Sequence, residues 1–188
     1  MVKIAICGKM ASGKTTIAEM LVSECFQSGE FGRFSLADAV KRFARFMFDI
    51  PDGHKDRVAF QKMRDGARRF LYEDVWIDTL LKEVAHYEVV ANNGGLIKNF
   101  VVDDVRYLNE VIKLKDAGWI TVKIDISEEL QIERLKRTYP DDWETHVNAR
   151  HHASEAEVDT IPDQLFDIVV AADDTDEPFK ILESFISQ

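Results

Sequence analysis

Residues 8 to 15 read Gly8-Lys9-Met10-Ala11-Ser12-Gly13-Lys14-Thr15. Two glycines, a lysine and a hydroxyl at this spacing suit one task, which is holding a chain of phosphates. Gly8 and Gly13 let the backbone curl with its N–H groups turned inward. A helix starting at the end of the loop adds further unpaired amides. Lys14 reaches the β- and γ-phosphates of a nucleoside triphosphate, and the Thr15 hydroxyl can hold Mg²⁺. The expected donor site is Gly8, Lys9, Ala11, Ser12, Gly13, Lys14, Thr15 and Thr16.

Such a loop carries meaning only between a strand and a helix. Val2 to Cys7 is strand-like and Thr16 to Val22 is helix-like, so the context is present.

A second group of residues adds to the chemistry. Asp103 and Asp104 follow the apolar run Phe100-Val101-Val102, at the carboxyl end of a predicted strand. Ligands of open α/β sheets gather at that edge. Either Asp can serve Mg²⁺ beside Thr15 or orient an acceptor oxygen, and strand alternation predicts that only one of them points into the site. Arg106 sits two residues further on. Its guanidinium can grip a phosphate through two parallel hydrogen bonds, which lysine cannot do; a salt bridge to Glu110 is the competing reading. Arg134 and Arg137, three apart, share a helix face. They lead into a polar stretch, about residues 139 to 160, that contains Arg150 and is expected to be an irregular flap. Arginines around a closing flap can neutralise charge that develops during phosphoryl transfer. His146, His151 and His152 lie there without zinc-like spacing, as solvated or substrate-contacting residues. Tyr72 and Trp76 offer rings for base stacking, although such aromatics more often pack in a core.

The chain has 188 residues and is 46% hydrophobic, enough for one domain with a sizeable core. No apolar run approaches the roughly 20 residues of a membrane helix, and no secretory signal is visible. Cys7 and Cys25 lack metal or redox spacing and are expected to be reduced, in a cytoplasmic protein (the host's cytoplasm if the source is viral). The net charge of −10 argues against binding to duplex nucleic acid. The charge is uneven, since Lys41 to Arg69 holds nine basic and four acidic residues. This basic island suits a small anion, or else it is a solvated helix face laced with ion pairs.

Strand-like and helix-like segments alternate, which predicts an α/β fold with a five-stranded parallel sheet covered by helices on both faces. Strands are expected near 2–7, 32–36, 99–103, 119–125 and 165–171. Helices are expected after the loop, over 37–48, 57–72, from Asp74 to about residue 91, over 107–117, after the Ser127 cap, and over 178–186. Phe43, Met47, Phe60, Met63, Ala67 and Phe70 are expected to face the core.

Three strings carry a resemblance. Ser35-Leu36-Ala37-Asp38-Ala39-Val40-Lys41, then Asp104-Val105-Arg106-Tyr107-Leu108-Asn109-Glu110, then His152-Ala153-Ser154-Glu155 resemble the bacteriophage-type deoxynucleoside monophosphate kinases. With the phosphate loop, the similarity runs along nearly the whole chain. One departure is Thr15, where many relatives of this kind carry Asp. The resemblance implies ATP with Mg²⁺ as donor, a deoxynucleoside 5′-monophosphate as acceptor, a helical monophosphate-binding insert over 37–91 and a lid over 134–160. It implies that Asp38, Lys41 and Arg42 open the monophosphate region, that Arg106 holds the acceptor phosphate, and that Arg134 and Arg137 are lid arginines. Arg68 or Arg69 of the basic island would complete the acceptor clamp. The expected partners are small nucleotides, with no nucleic acid, no membrane and a homodimer left open. Three other readings stay open: a kinase for another small acceptor such as dephospho-coenzyme A or a sugar acid, a nucleotide switch without transfer, and a kinase of nucleic-acid ends.

Overall fold

Strand β1 (Lys3–Gly8) is apolar on both sides. Ile4 and Ile6 face one way, Ala5 and Cys7 the other, and all four are at most 2% exposed. A strand buried on both faces must lie inside a sheet with a helical layer on each side. The structure, a computed structural model, describes residues 1–23, 31–48, 57–148, 153–172 and 177–186. Its sheet is five-stranded and parallel, with β1 at the centre. The order is β2 (Phe31–Phe34), β3 (Asn99–Val105), β1, β4 (Ile120–Asp125), β5 (Ile168–Ala171).

One face carries α1 (Lys14–Ser23) and α9 (Glu177–Ile186). Ile17, Leu21, Phe179 and Leu182 pack there on Ile4, Ile6, Val101 and Val122. The other face carries α2 (Leu36–Phe48), α3 (Arg57–Phe70), α4 (Val75–Asn92), α5 (Leu108–Asp116) and α8 (Ala153–Thr160). There Val40, Ile77, Leu80, Val111 and Val158 bury Ala5, Phe100 and Val102. α6 (Glu128–Thr138) and α7 (Trp143–Asn148) follow β4. Ser127 caps α6 by accepting the Leu130 N–H at 3.2 Å, a contact that stabilises a helix by about 1 kcal/mol. Among the described residues, no helix is long and apolar enough to cross a membrane.

The topology places the phosphate loop where β1 sits between β3 and β4. The chain moves one way from β1 toward β2 and the other way from β3 to β4, so a crevice opens at the carboxyl ends of these strands. The β1–β3 pairing also slips. Ala5 pairs with Val102 but Cys7 with Val105, so β3 holds an extra residue at Asp103 and Asp104. A bulge of this kind breaks the strict alternation of side chains.

Several expectations are corrected. Residues 139–160 are not simply irregular, since α7 and α8 form within them. His146, expected to be solvated or to contact substrate, is not solvated: it is 6% exposed and stacks on Tyr139 with ring centres 3.7 Å apart. On α2, Val40 and Ala44 are buried, but Phe43 and Met47 are 46% and 54% exposed. Phe70 is 78% exposed, while Phe60, Met63 and Ala67 pack partly against the core. Arg150, His151, His152 and Cys25 lie outside the described residues.

Candidate functional site

The loop between β1 and α1 is glycine-dependent at two points. A Cβ on Gly8 would lie 2.7 Å from the Ile124 carbonyl oxygen and 2.9 Å from Ser12 Oγ, so no larger residue fits beneath the loop. Gly13 has φ +99°, in the region that glycine enters freely. Ala11 also has positive φ, at 63°, which for a residue with a Cβ costs roughly 1 kcal/mol. The fold holds that strained turn from three sides. Glu155 of α8 accepts the Met10 N–H at 2.7 Å. Gln131 of α6 donates to the Met10 carbonyl at 2.9 Å. Arg134 donates to the Ala11 carbonyl at 3.1 Å.

Lys14 is 7% exposed. Its ammonium donates to the Lys9 carbonyl at 2.5 Å and lies 3.4 Å from Ser12 Oγ. Burial first, and then the neighbouring Arg106 charge, lower its pKa from 10.5 to about 7. A polyphosphate beside it would reverse that pressure and favour the ammonium. Lys9 points elsewhere, pairing with Asp159 at 2.6 Å.

Thr15 donates its hydroxyl proton to Asp103 Oδ2 at 2.8 Å. Asp103 is 3% exposed and also receives a two-pronged contact from Arg33, with Nε to Oδ1 at 3.1 Å and Nη2 to Oδ2 at 2.8 Å. A hydroxyl beside a carboxylate is the hard-oxygen pair that Mg²⁺ takes from a protein when phosphates and waters supply the rest. Among the described residues, no cluster of three His, Cys, Asp or Glu offers a complete all-protein cage. The residues therefore fit a phosphate-shared Mg²⁺, with Thr15 and Asp103 as its protein partners.

Both aspartates line the cleft, and their carboxylates go to different elements, that of Asp103 to Thr15 and Arg33. Asp104 spends its oxygens differently. It accepts from Ser35 Oγ at 2.8 Å, Leu36 N at 2.9 Å and Ala37 N at 2.8 Å, which ties the first turn of α2 to the end of β3. The α2 amides would otherwise lack partners.

Arg106 reaches the cleft, and its guanidinium pairs with Glu155. Burial, and then the Arg64 charge, lower its pKa. The competing Arg106–Glu110 salt bridge does not form. Glu110 instead accepts the Arg106 and Tyr107 backbone N–H groups at 2.9 and 3.1 Å. Its other oxygen takes Arg64 at 3.0 Å, with Arg68 at 3.6 Å. Glu110 has no exposed surface, and burial raises its pKa.

The cleft measures about 730 Å³. Its walls bring together Ala11 to Thr16, both aspartates, Arg33, Arg106, Arg134 and Arg137. Asp38 and Arg42 line a separate cavity of about 220 Å³ with Glu83 and Tyr87, and Arg33 and Ser35 belong to both cavities. Arg42 pairs with Glu83, and Lys41 with Asp38 at 2.8 Å. Arg68 and Arg69 are not part of the cleft wall. Arg68 lies over the Tyr107 ring at 3.9 Å and donates to Asn109 at 3.1 Å, while Arg69 is exposed and sits 5.5 Å from the Phe70 ring centre. Of the two readings of Trp76, core packing is the one the structure shows and base stacking is not. Its ring is 5% exposed in the core, and its N–H donates to the Arg64 carbonyl at 3.0 Å.

Sequence reasoning passed over Arg33, Gln131 and the role of Glu155. A charged residue inside the apolar run Phe31 to Leu36 was the available signal for Arg33. Nothing local marked Gln131, whose partner is 121 residues away.

No family model matches the chain, and no curated protein matches it. Solved structures do. An uncharacterized protein from Eubacterium ventriosum superposes with TM-score 0.59 at 12% identity, covering 99% of this chain and 98% of that one. The tunicamycin resistance protein of Deinococcus radiodurans gives 0.54 at 15%, covering 99% and 93%. Shikimate kinase from Aquifex aeolicus gives 0.53 at 19%, covering 99% and 97%. At these identities the likeness carries the architecture alone: the chain has a P-loop kinase fold, a parallel five-stranded sheet flanked by helices, with its phosphate loop at the head of the cleft.

Proposed function

We propose that this protein transfers the γ-phosphoryl group of ATP to a deoxynucleoside 5′-monophosphate. The observation that carries the reading is the shared cleft, where the loop and Lys14 meet Arg106, Arg134 and Arg137 in one cavity of about 730 Å³. The fold is one that a shikimate kinase also uses, which supports phosphoryl transfer.

In this reading the loop amides and Lys14 bind the β- and γ-phosphates. Thr15 and Asp103 hold Mg²⁺, which when bound offsets charge on the phosphate oxygens. Arg106, kept in place by Glu155, orients the acceptor phosphate. Arg134 and Arg137 lie where they can offset charge on the group in transit. The helical stretch 37–91 serves the acceptor, and 134–160 closes over the donor. The bond from the γ-phosphorus to its bridging oxygen breaks as one forms to an acceptor phosphate oxygen.

The two carboxylates of the cleft favour a phosphate over a hydroxyl acceptor. Asp103 is engaged by Thr15 and Arg33, and Asp104 by Ser35 and the start of α2. A hydroxyl needs a base, commonly worth about 10²- to 10⁴-fold in rate. A phosphate dianion arrives with its nucleophilic oxygen already deprotonated, so positioning suffices.

Incubating the protein with γ-labelled ATP and each common ribo- and deoxyribonucleoside monophosphate, shikimate and dephospho-coenzyme A tests this reading. Label should appear in one or more deoxynucleoside diphosphates. Label confined to shikimate or coenzyme A products, or to inorganic phosphate whatever the acceptor, would overturn it.

A further inference from the structure

Arg33 stands where the two cavities meet, and the proposed reaction has no assigned task for it. It lies on the edge strand β2, in register with Val101, and its fork closes on Asp103 at 2.8 and 3.1 Å. An ionised carboxylate offers about four lone-pair positions. Arg33 takes one on each oxygen, and Thr15 takes another on Oδ2. Little of Asp103 is then left for a metal ion or the waters around it.

Asp103 cannot do without a cationic partner. Its side chain is 3% exposed, and a buried carboxylate stripped of its partner is strongly unfavourable. Arg33 and a divalent cation are thus alternative partners for one buried charge. Arg33 is freer than an arginine locked in the interior. Arg64 is 16% exposed and sits against a fully buried Glu110, whereas the Arg33 side chain is 38% exposed. Arg33 can exchange its ion pair for water, so the cost of parting falls on the buried Asp103 and is met when a cation takes the place of Arg33. Besides Asp103, it has Glu19 at 3.4 Å. It also lines the cavity of about 220 Å³, with Asp38, Tyr87 and the Arg42–Glu83 pair.

We infer that Arg33 is a latch on the metal ligand: its guanidinium and the divalent cation compete for Asp103, and an anionic acceptor relieves the competition by drawing Arg33 away. Arg33 is thus a positioning residue that makes metal binding responsive to acceptor occupancy. The acceptor half rests on the phosphotransferase reading, and the competition half does not.

The test reads metal binding and not turnover. Mn²⁺ is titrated into the protein with ADP, and free Mn²⁺ is followed by its paramagnetic resonance signal. Arg33→Gln should bind Mn²⁺ about 10-fold more tightly than the wild type, a coupling of ordinary size for two ligands of one site. Arg33→Lys, which keeps the charge but loses the fork, should fall between them. It also serves as the reading if Arg33→Gln does not give a folded protein. Equal or weaker Mn²⁺ binding in the folded variants would overturn the competition, since a merely structural arginine would weaken the site when removed. Adding dGMP or dTMP should tighten Mn²⁺ binding in the wild type and leave Arg33→Gln unchanged. Equal tightening in both proteins would overturn the acceptor link. Tighter metal binding in Arg33→Gln with no response to either monophosphate in the wild type would uphold the competition, and refute both the acceptor link and these two acceptors.

Discussion

Lys14 carries two opposed demands. Burial and Arg106 push its pKa down to about 7, while phosphate binding needs the ammonium. Lys14→Met removes the charge and keeps most of the volume. It should lower kcat/KM for ATP-dependent transfer by about 10³-fold or more, with an unchanged circular dichroism spectrum; near wild-type turnover would refute the donor assignment. Arg106 belongs to the other substrate. Arg106→Ala should raise the KM of the acceptor far more than that of ATP in steady-state kinetics, and an equal rise in both would refute its role. These two residues were legible in the sequence because the loop spacing and the strand end mark them. Arg33 was not, since its partner Asp103 lies 70 residues away. Trp76 takes the core place that helical spacing favoured over base stacking.

Elements are tied to the site by carboxylates that do no chemistry themselves. Glu110 joins the start of α5 to the arginines of α3, and through its hydrogen bond to the Arg106 N–H it fixes the turn after β3. Glu110→Ala leaves Arg64 and Arg68 without their buried partner and should cost about 3–5 kcal/mol in urea unfolding. Asp167 plays a similar part before β5, accepting from Lys115 at 2.7 Å and from Thr121 N and Oγ1 at 2.8 and 2.9 Å. Burial works to raise its pKa, but the contacts from Lys115 and Thr121 outweigh that and hold it below the ordinary 3.8. A depressed carboxyl pKa gives stability that is present above the unfolded value and lost as pH falls through the folded one. Asp167→Asn should therefore melt at a lower temperature than wild type at pH 6, and the difference should close as pH drops below about 4. The strand and helix order was legible because each element has its own apolar period. The bulge at Asp103 and Asp104 was not, because it depends on how β3 pairs with β1. The α7 and α8 turns were missed because their short polar stretches carry almost no periodic signal.

On the scale of the whole molecule, an acidic chain of net charge −10 concentrates cations at one sheet edge. Lys14, Arg33, Arg106, Arg134 and Arg137 share a cleft with two aspartates, both already engaged. The basic island foreseen between Lys41 and Arg69 contributes less directly than its charge suggests. Arg64 and Arg68 brace Glu110, and Arg42 pairs with Glu83. In the proposed reaction two anion sites, one around Lys14 and one around Arg106, face each other within reach of a single phosphoryl group. Calorimetric titration with adenosine joined through five phosphates to a deoxynucleoside tests it most directly. Linked ligands that fill both sites gain about 10²-fold or more over either part alone. Wild type should show such a gain over ATP, and Arg106→Ala should lose it. A linked compound that binds no more tightly than ATP, or a gain that survives Arg106→Ala, would contradict the two-site arrangement.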